Sequence, residues 1–229
     1  MVIPCIDMKI ILIGAGNLAT QLAVALQKKG MTPAYIYSRT RESAEQLSER
    51  LRDVPYSTDI SRVPTDGDLY IFAVKDSALL DLVSRMPSNR GLWVHTAGSM
   101  DMEVFAPYTA RYGVFYPMQT FSKERETDFD DIPIFVETNH TDDTERLQKL
   151  AGRLSTKVYE ATSEQRKYLH LAAVFACNFS NHLYALCDRI LSEHGLPFET
   201  MLPLIRETAA KVADMPPAQA QTGPAIRYD

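Results

Sequence analysis

Residues 8–30 read MKIILIGAGNLATQLAVALQKKG, and the rest of the chain is organised around them. Residues 9–13 are a short, β-branched apolar run, the pattern of a buried parallel strand. Gly14-Ala15-Gly16-Asn17-Leu18-Ala19 follows at once and fits G-x-G-x-x-A. Leu18, Leu22 and Leu26 then recur at helical spacing, and Lys28-Lys29-Gly30 closes the helix with cations and a left-handed stop. Glycines between a strand and a helix have defined uses. Gly14 permits the tight turn, Gly16 has no side chain to hold a pyrophosphate away, and Ala19 lets helix and strand pack closely. The first helical N–H groups, from Asn17 and Leu18, would face the phosphate together with Ala15 and Gly16. The competing reading is a glycine-tolerant structural turn in an α/β protein.

A second strand is predicted at residues 34–38, and its end decides which cofactor is read. An acid there bonds the ribose of NAD, whereas an Arg accepts the 2′-phosphate of NADP. The chain offers Ser38-Arg39-Thr40 and no acid before Glu42, so NADP is expected. The alternative is a solvated Arg opening a helix over residues 40–51, whose Ala44, Leu47 and Leu51 face inward. Further strands are expected at residues 54–57, 69–74, 91–95, 113–116, 134–137 and 157–159. Helices are expected at 76–83, with Asp76 as its N-cap, at 102–108 and at 142–154. Strand carboxyl ends border the ligand crevice of an open α/β sheet. That rule adds Ala73, Val74 and Lys75, then Thr96, Ala97 and Gly98, to the cofactor set. Lys75 faces the nicotinamide or a substrate carboxylate, or is an ordinary surface lysine.

The bulk properties narrow the class. A chain of 229 residues with net charge −5 has no basic footprint for nucleic acid. Cys5, Cys177 and Cys187 are an odd set without a CxxC, as expected of reduced thiols in a cytoplasm. Residues 1–7 lack the layout of a signal peptide, and Met8 offers an alternative start that would make them a dispensable leader. Nothing in the motif set calls for a metal.

Strand patterns stop after Ala161, which divides the chain into a nucleotide-binding domain (1–161) and a helical domain (162–229). Thr162 is the expected N-cap of a helix that runs to His194, with Gly195 and Pro197 beyond. Its middle, residues 171–187, carries no charge. It is short and holds Asn178, Ser180, Asn181 and His182, so a helix buried nearly all round in a helical domain or dimer is expected rather than a membrane span. Another helix is expected over residues 198–212. The chain stops at TGPAIRYD, residues 222–229, which has the look of an internal motif.

These motifs together resemble a family of bacterial NADP oxidoreductases with a Rossmann-like domain followed by a helical domain of uncharacterised function. That family is distantly related to pyrroline-5-carboxylate reductase and to deazaflavin-coenzyme-dependent NADP reductases. The resemblance rests on residues 14–19, 73–76, 95–99, 116–122 and 170–173, on Asn178-Phe179, and on Thr222-Gly223-Pro224 with Arg227 and Asp229. The sequence departs from the family pattern at Tyr116, where a His usually precedes Pro117, and at Tyr228, where Gly is usual. The resemblance implies an α/β fold with a doubly wound, mostly parallel sheet followed by a smaller all-α domain. It also implies a homodimer through that domain and a substrate cleft between domains.

Hydride transfer is the cofactor's chemistry, and the protein adds orientation and a proton. At 100° per residue, His170, Cys177 and Asn181 share one stripe of the long helix with Asn178 on its flank. His170 and Asn178 are therefore expected opposite Lys75 and Ser99, His170 relaying a proton and Asn178 holding the substrate. The competing arrangement has these polar groups satisfying one another across a dimer interface. The expected activity is NADP-dependent oxidation or reduction of a small imine, carbonyl or hydroxy compound. The alternatives are a sensor that binds NADP without turnover and a scaffold that binds nothing.

Overall fold

A computed structural model describes residues 8–222. Residues up to Ala173 form one compact unit and those from Val174 a second. In the first, Ile10–Ile13 (β1) leads through Gly14 and Gly16 into Asn17–Lys28 (α1). Tyr35–Tyr37 (β2), Arg41–Arg50 (α2), Tyr56–Ser57 (β3), Leu69–Phe72 (β4), Asp76–Arg85 (α3), Leu92–His95 (β5) and Tyr112–Pro117 (β6) follow. Then come Ile134–Thr138 (β7), Thr141–Leu154 (α4), Val158–Glu160 (β8) and Ser163–Ala173 (α5). The eight strands form one sheet in the order β3-β2-β1-β4-β5-β6-β7-β8. All neighbours are parallel except β6 and β7, which are antiparallel. The doubly wound, mostly parallel sheet expected from the sequence is therefore present.

Alternation along the strands divides the core between the two faces. Ile10 and Leu12 join Leu69 and Ile71 on one face, covered by Leu22 and Leu26 of α1 and by Leu147, Leu150 and Leu154 of α4. Ile11 and Ile13 join Tyr70 and Phe72 on the other, with Trp93, Phe105, Leu79 and Val83. Ala44, Leu47 and Leu51 are buried, as their spacing predicts.

Several local expectations change. Lys75, not Asp76, is the residue that caps α3, and Asp76 is the first helical residue. The expected helix at 102–108 is a short 3₁₀ turn, Met102–Phe105. The last strand ends at Glu160, but the compact unit continues to Ala173, because α5 is tied to the sheet by the buried Arg166. The capping box at the start of α5 is formed: Gln165 N–H donates to Thr162 Oγ1 at 3.2 Å and Thr162 N–H to Gln165 Oε1 at 2.9 Å.

In the second unit, Val174–Phe179 is π-helical and Ser180–Glu193 (α6) is α-helical. Gly195 follows at φ 70°, the left-handed stop expected there. The 3₁₀ turn Phe198–Met201 leads into Leu202–Asp214 (α7). A π-helix bonds i to i+5 and turns less per residue than an α-helix, so the 100° stripe through Cys177 and Asn181 does not hold. The expected all-round burial is also not met within the single chain: Leu171, Phe175, Phe179, Leu183 and Ile190 are exposed. No described helix is long and apolar enough to cross a membrane. Cys177 and Cys187 are free thiols. The expectations for residues 1–7, including Cys5, and for residues 223–229 lie outside the described residues.

Candidate nucleotide and catalytic site

Gly14 sits at φ 128°, and its N–H donates to Tyr37 O at 2.7 Å. A Cβ built on it would stand 2.2 Å from Ala73 O, so only glycine lets β1 turn beside the end of β4. Gly16 differs. It precedes the first turn of α1 with no side-chain cap, and nothing lies within 4 Å of where its Cβ would be. That empty face, beside the free N–H groups of a helix start, is the geometry of an anion site.

Around it runs a groove of about 480 Å³, large enough for much of a dinucleotide. Gly14, Ala15, Gly16, Ser38, Arg39, Thr40, Ala73, Val74 and Lys75 line it, nine of the residues selected from sequence. Asn17, Leu18, Thr96, Ala97 and Gly98 do not. The Asn17 side chain donates to Phe121 O at 3.0 Å, and Leu18 packs on the core. Thr96 is buried, its Oγ1 donating to Phe72 O at 3.4 Å.

The groove is cationic. Arg39, Lys75, Arg85 and Lys123 border it, against one carboxylate, Asp81. Asp81 is paired to Arg85 at 3.1 Å. Arg39, Lys75 and Lys123 make no ion pair among the described residues. Three unmatched cations around an open helix start select an anionic ligand.

Beyond the groove, strands β4, β5 and β6 run in step: Phe72 pairs with His95, and His95 with Val114. Two residues further along each lie Val74, Ala97 and Tyr116. Here His170 of α5 comes down on Gly98, where a Cβ would meet its ring at 2.5 Å. The sequence reading assigned Gly98 to ligand approach, but the imidazole occupies its open side. Tyr116 Oη lies 3.2 Å from His170 Nδ1, joining the strand end to the helix. Ser99 Oγ donates to Asp76 at 2.5 Å, which places Ser99 at the start of α3. Asn178 is exposed in the second unit, with no hydrogen bond from its side chain among the described residues.

The loop after β5 is fixed by groups that sequence reasoning missed. Arg166 is fully buried and contacts Glu137 Oε2 at 2.6 Å, Met100 O at 2.5 Å, Ser163 Oγ at 3.1 Å and Ala97 O at 3.2 Å. The available signal was its place four residues before His170, on the same face of a helix. His95, also buried, accepts from Ala97 N–H at Nδ1 and faces Asp101 O through Nε2. Burial, helped by the Arg166 charge, pushes its pKa down to about 4, so the ring is neutral at pH 7.

Comparison with known proteins follows this architecture. Residues 3–118 match the Rossmann-like domain family, and residues 132–229 match a domain of unknown function, DUF2520. The chain belongs to the Rossmann-like family. It is similar to a Bacteroides fragilis protein provisionally assigned as an NADP oxidoreductase. The two are 53% identical, with TM-score 0.90 over 97% of this chain and 87% of that one. Two more distant structures share the fold. One is a pyrroline-5-carboxylate reductase of Coxiella burnetii, with 16% identity and TM-score 0.66 over 96% and 84%. The other is a reductive aminase of Aspergillus terreus in complex with NADPH and ethyl levulinate, with 17% identity and TM-score 0.70 over 90% and 74%. No curated protein matches the chain.

Proposed function

We propose that the chain is an NADP-dependent oxidoreductase that transfers a hydride between the nicotinamide and a small imine, carbonyl or hydroxy compound. The observation that carries this reading is the groove, where the empty face of Gly16 adjoins the unmatched cations Arg39 and Lys75. The assignment of the 53% identical B. fragilis protein agrees with it. Bound there, NADPH supplies the hydride. The start of α1 holds the pyrophosphate, and Ser38, Arg39 and Thr40 receive the 2′-phosphate. Lys75, at the end of β4, faces the nicotinamide or a substrate carboxylate. His170 donates or relays the proton that the substrate heteroatom needs after hydride arrives.

The same reading includes a homodimer through the helical part of the chain. Leu171, Phe175, Phe179, Leu183 and Ile190 supply exposed apolar area of the kind that a second copy covers.

The test is NADPH binding followed by turnover. Gly16→Val places its side chain in open space, so the fold survives while the pyrophosphate is excluded. Calorimetry should show NADPH bound by the wild type and not by the variant, and equal affinity removes the proposal's foundation. NADPH consumption over a panel of imino and keto acids should be lost in His170→Ala with cofactor binding retained. Tight binding by the wild type without turnover on any member converts the reading to a sensor.

A further inference from the structure

The segment between β6 and β7 is fastened to the helix that would hold the pyrophosphate. Gln21 of α1 is 1% exposed, and its side chain is used almost completely. Its Nε2 donates to Ser122 O at 2.6 Å and Arg125 O at 2.9 Å, and its Oε1 accepts from Thr127 N–H at 3.1 Å. Asn17, one turn earlier, holds Phe121 O at 3.0 Å. Arg50, ending α2, donates to Lys123 O at 3.0 Å. Three side chains from two helices thus fix one short stretch of backbone that lies 73 to 106 residues away in sequence.

The stretch delivers Lys123. Its side chain is half-buried and lines the groove beside Arg39, Thr40 and Ser43. It also borders the adjoining hollow between α1 and α2, with Thr20, Ser43 and Gln46. Glu124 borders that hollow too, yet no carboxylate pairs with Lys123 within 4 Å among the described residues. A lysine with no anionic partner is free to meet an anion in the groove, and the neighbouring hydroxyls supply donors that suit the same anion. Position identifies which phosphate is meant. Thr40 caps α2 directly after β2 and Ser43 lies in the first turn of that helix, where the adenosine ribose is read, whereas Gly16 faces the pyrophosphate.

We propose that Lys123, carried by the segment that Gln21 clamps, is a second reader of the 2′-phosphate and sets the preference for NADP over NAD together with Arg39. This rests on the NADP reading above. It differs from the ordinary arrangement because a specificity residue comes from the far half of the sheet. Lys123 acts as a point charge, while Arg39 offers a planar fork.

Calorimetric titration of the full chain at low salt with NADPH and with NADH tests it. Lys123→Met should weaken NADPH binding about tenfold, leave NADH binding within about twofold, and leave the melting temperature unchanged. Lys123→Arg should keep most of the NADPH affinity. Gln21→Met, which frees the segment, should show the same selective loss. An equal loss for both cofactors in Lys123→Met assigns the lysine to the pyrophosphate or the fold and overturns the proposal, as does an unchanged preference. Wild-type protein that binds neither cofactor overturns the NADP reading itself, a result distinguishable from either of these.

Discussion

Replacing Arg166 by Met should cost more stability than any surface change in the chain. The guanidinium is fully buried, and its partner Glu137 keeps 14% side-chain exposure. The substitution removes five N–H donors at once. It leaves the Glu137 carboxyl with only the Ser163 N–H and Oγ–H at 2.8 Å each, and it leaves the carbonyls of Ala97 and Met100 without this donor. Breaking a buried ion pair from one side costs about 3–5 kcal/mol. For a cooperative unit of this size each kcal/mol moves the midpoint by about 2–4 °C, so the melting temperature should fall by roughly 6–20 °C. The second arm isolates the pair. Arg166→Met combined with Glu137→Gln removes both charges while keeping an oxygen acceptor for Ser163. The double variant should therefore recover a large part of the loss. Differential scanning calorimetry reads both arms. A single-variant cost below about 1 kcal/mol, or a double variant equal to the sum of the two singles, would refute the argument that this is a paired, buried clamp.

Three further outcomes are expected. The folded-state pKa of His95, about 4, lies below the unfolded value of 6.5, so the native state binds fewer protons in that interval. The contribution is fully present above pH 6.5 and is lost as pH falls toward 4, by about 3 kcal/mol in all, and His95→Gln should flatten that part of a stability–pH curve. Gly98→Ala should force the His170 ring aside, cost about 1–3 kcal/mol and separate it from Tyr116, and an unchanged denaturation midpoint contradicts the close packing. Light scattering at micromolar concentration should give twice the chain mass, and a monomer rejects the proposed dimer.

The nucleotide-binding half was legible because its rules are local. A strand, two glycines and an amphipathic helix follow one another within residues 9–30, and each position can be assigned from its neighbours. The hydroxyls and Arg39 after β2 are local in the same sense. What escaped were the partners brought from a distance. Lys123 and Gln21 meet over about a hundred residues, and Arg166 gains its meaning only beside Glu137 and the backbone of residues 97–100. Gly98 misled for the opposite reason: glycine signals room, and sequence does not say which neighbour uses it. The π-helical segment, whose phase no regular period anticipates, undid the stripe joining His170 to Cys177.

The reversal at β7 has a directional consequence. Strands β1, β2 and β4 to β6 all end at the rim that bears the glycine turn. Had β7 continued in that sense, the chain would have left the sheet at the same rim, and the helix after β8 would have descended away from it. Because β7 starts beside Pro117 and ends beside Gly113, and β8 runs with it, α5 begins lower down, next to Glu137. It then climbs past Met100 and Ala97 and arrives beside Gly98 and Tyr116 with His170. One strand laid in the opposite sense turns a helix that would point away into one that carries an imidazole to the working edge of the sheet.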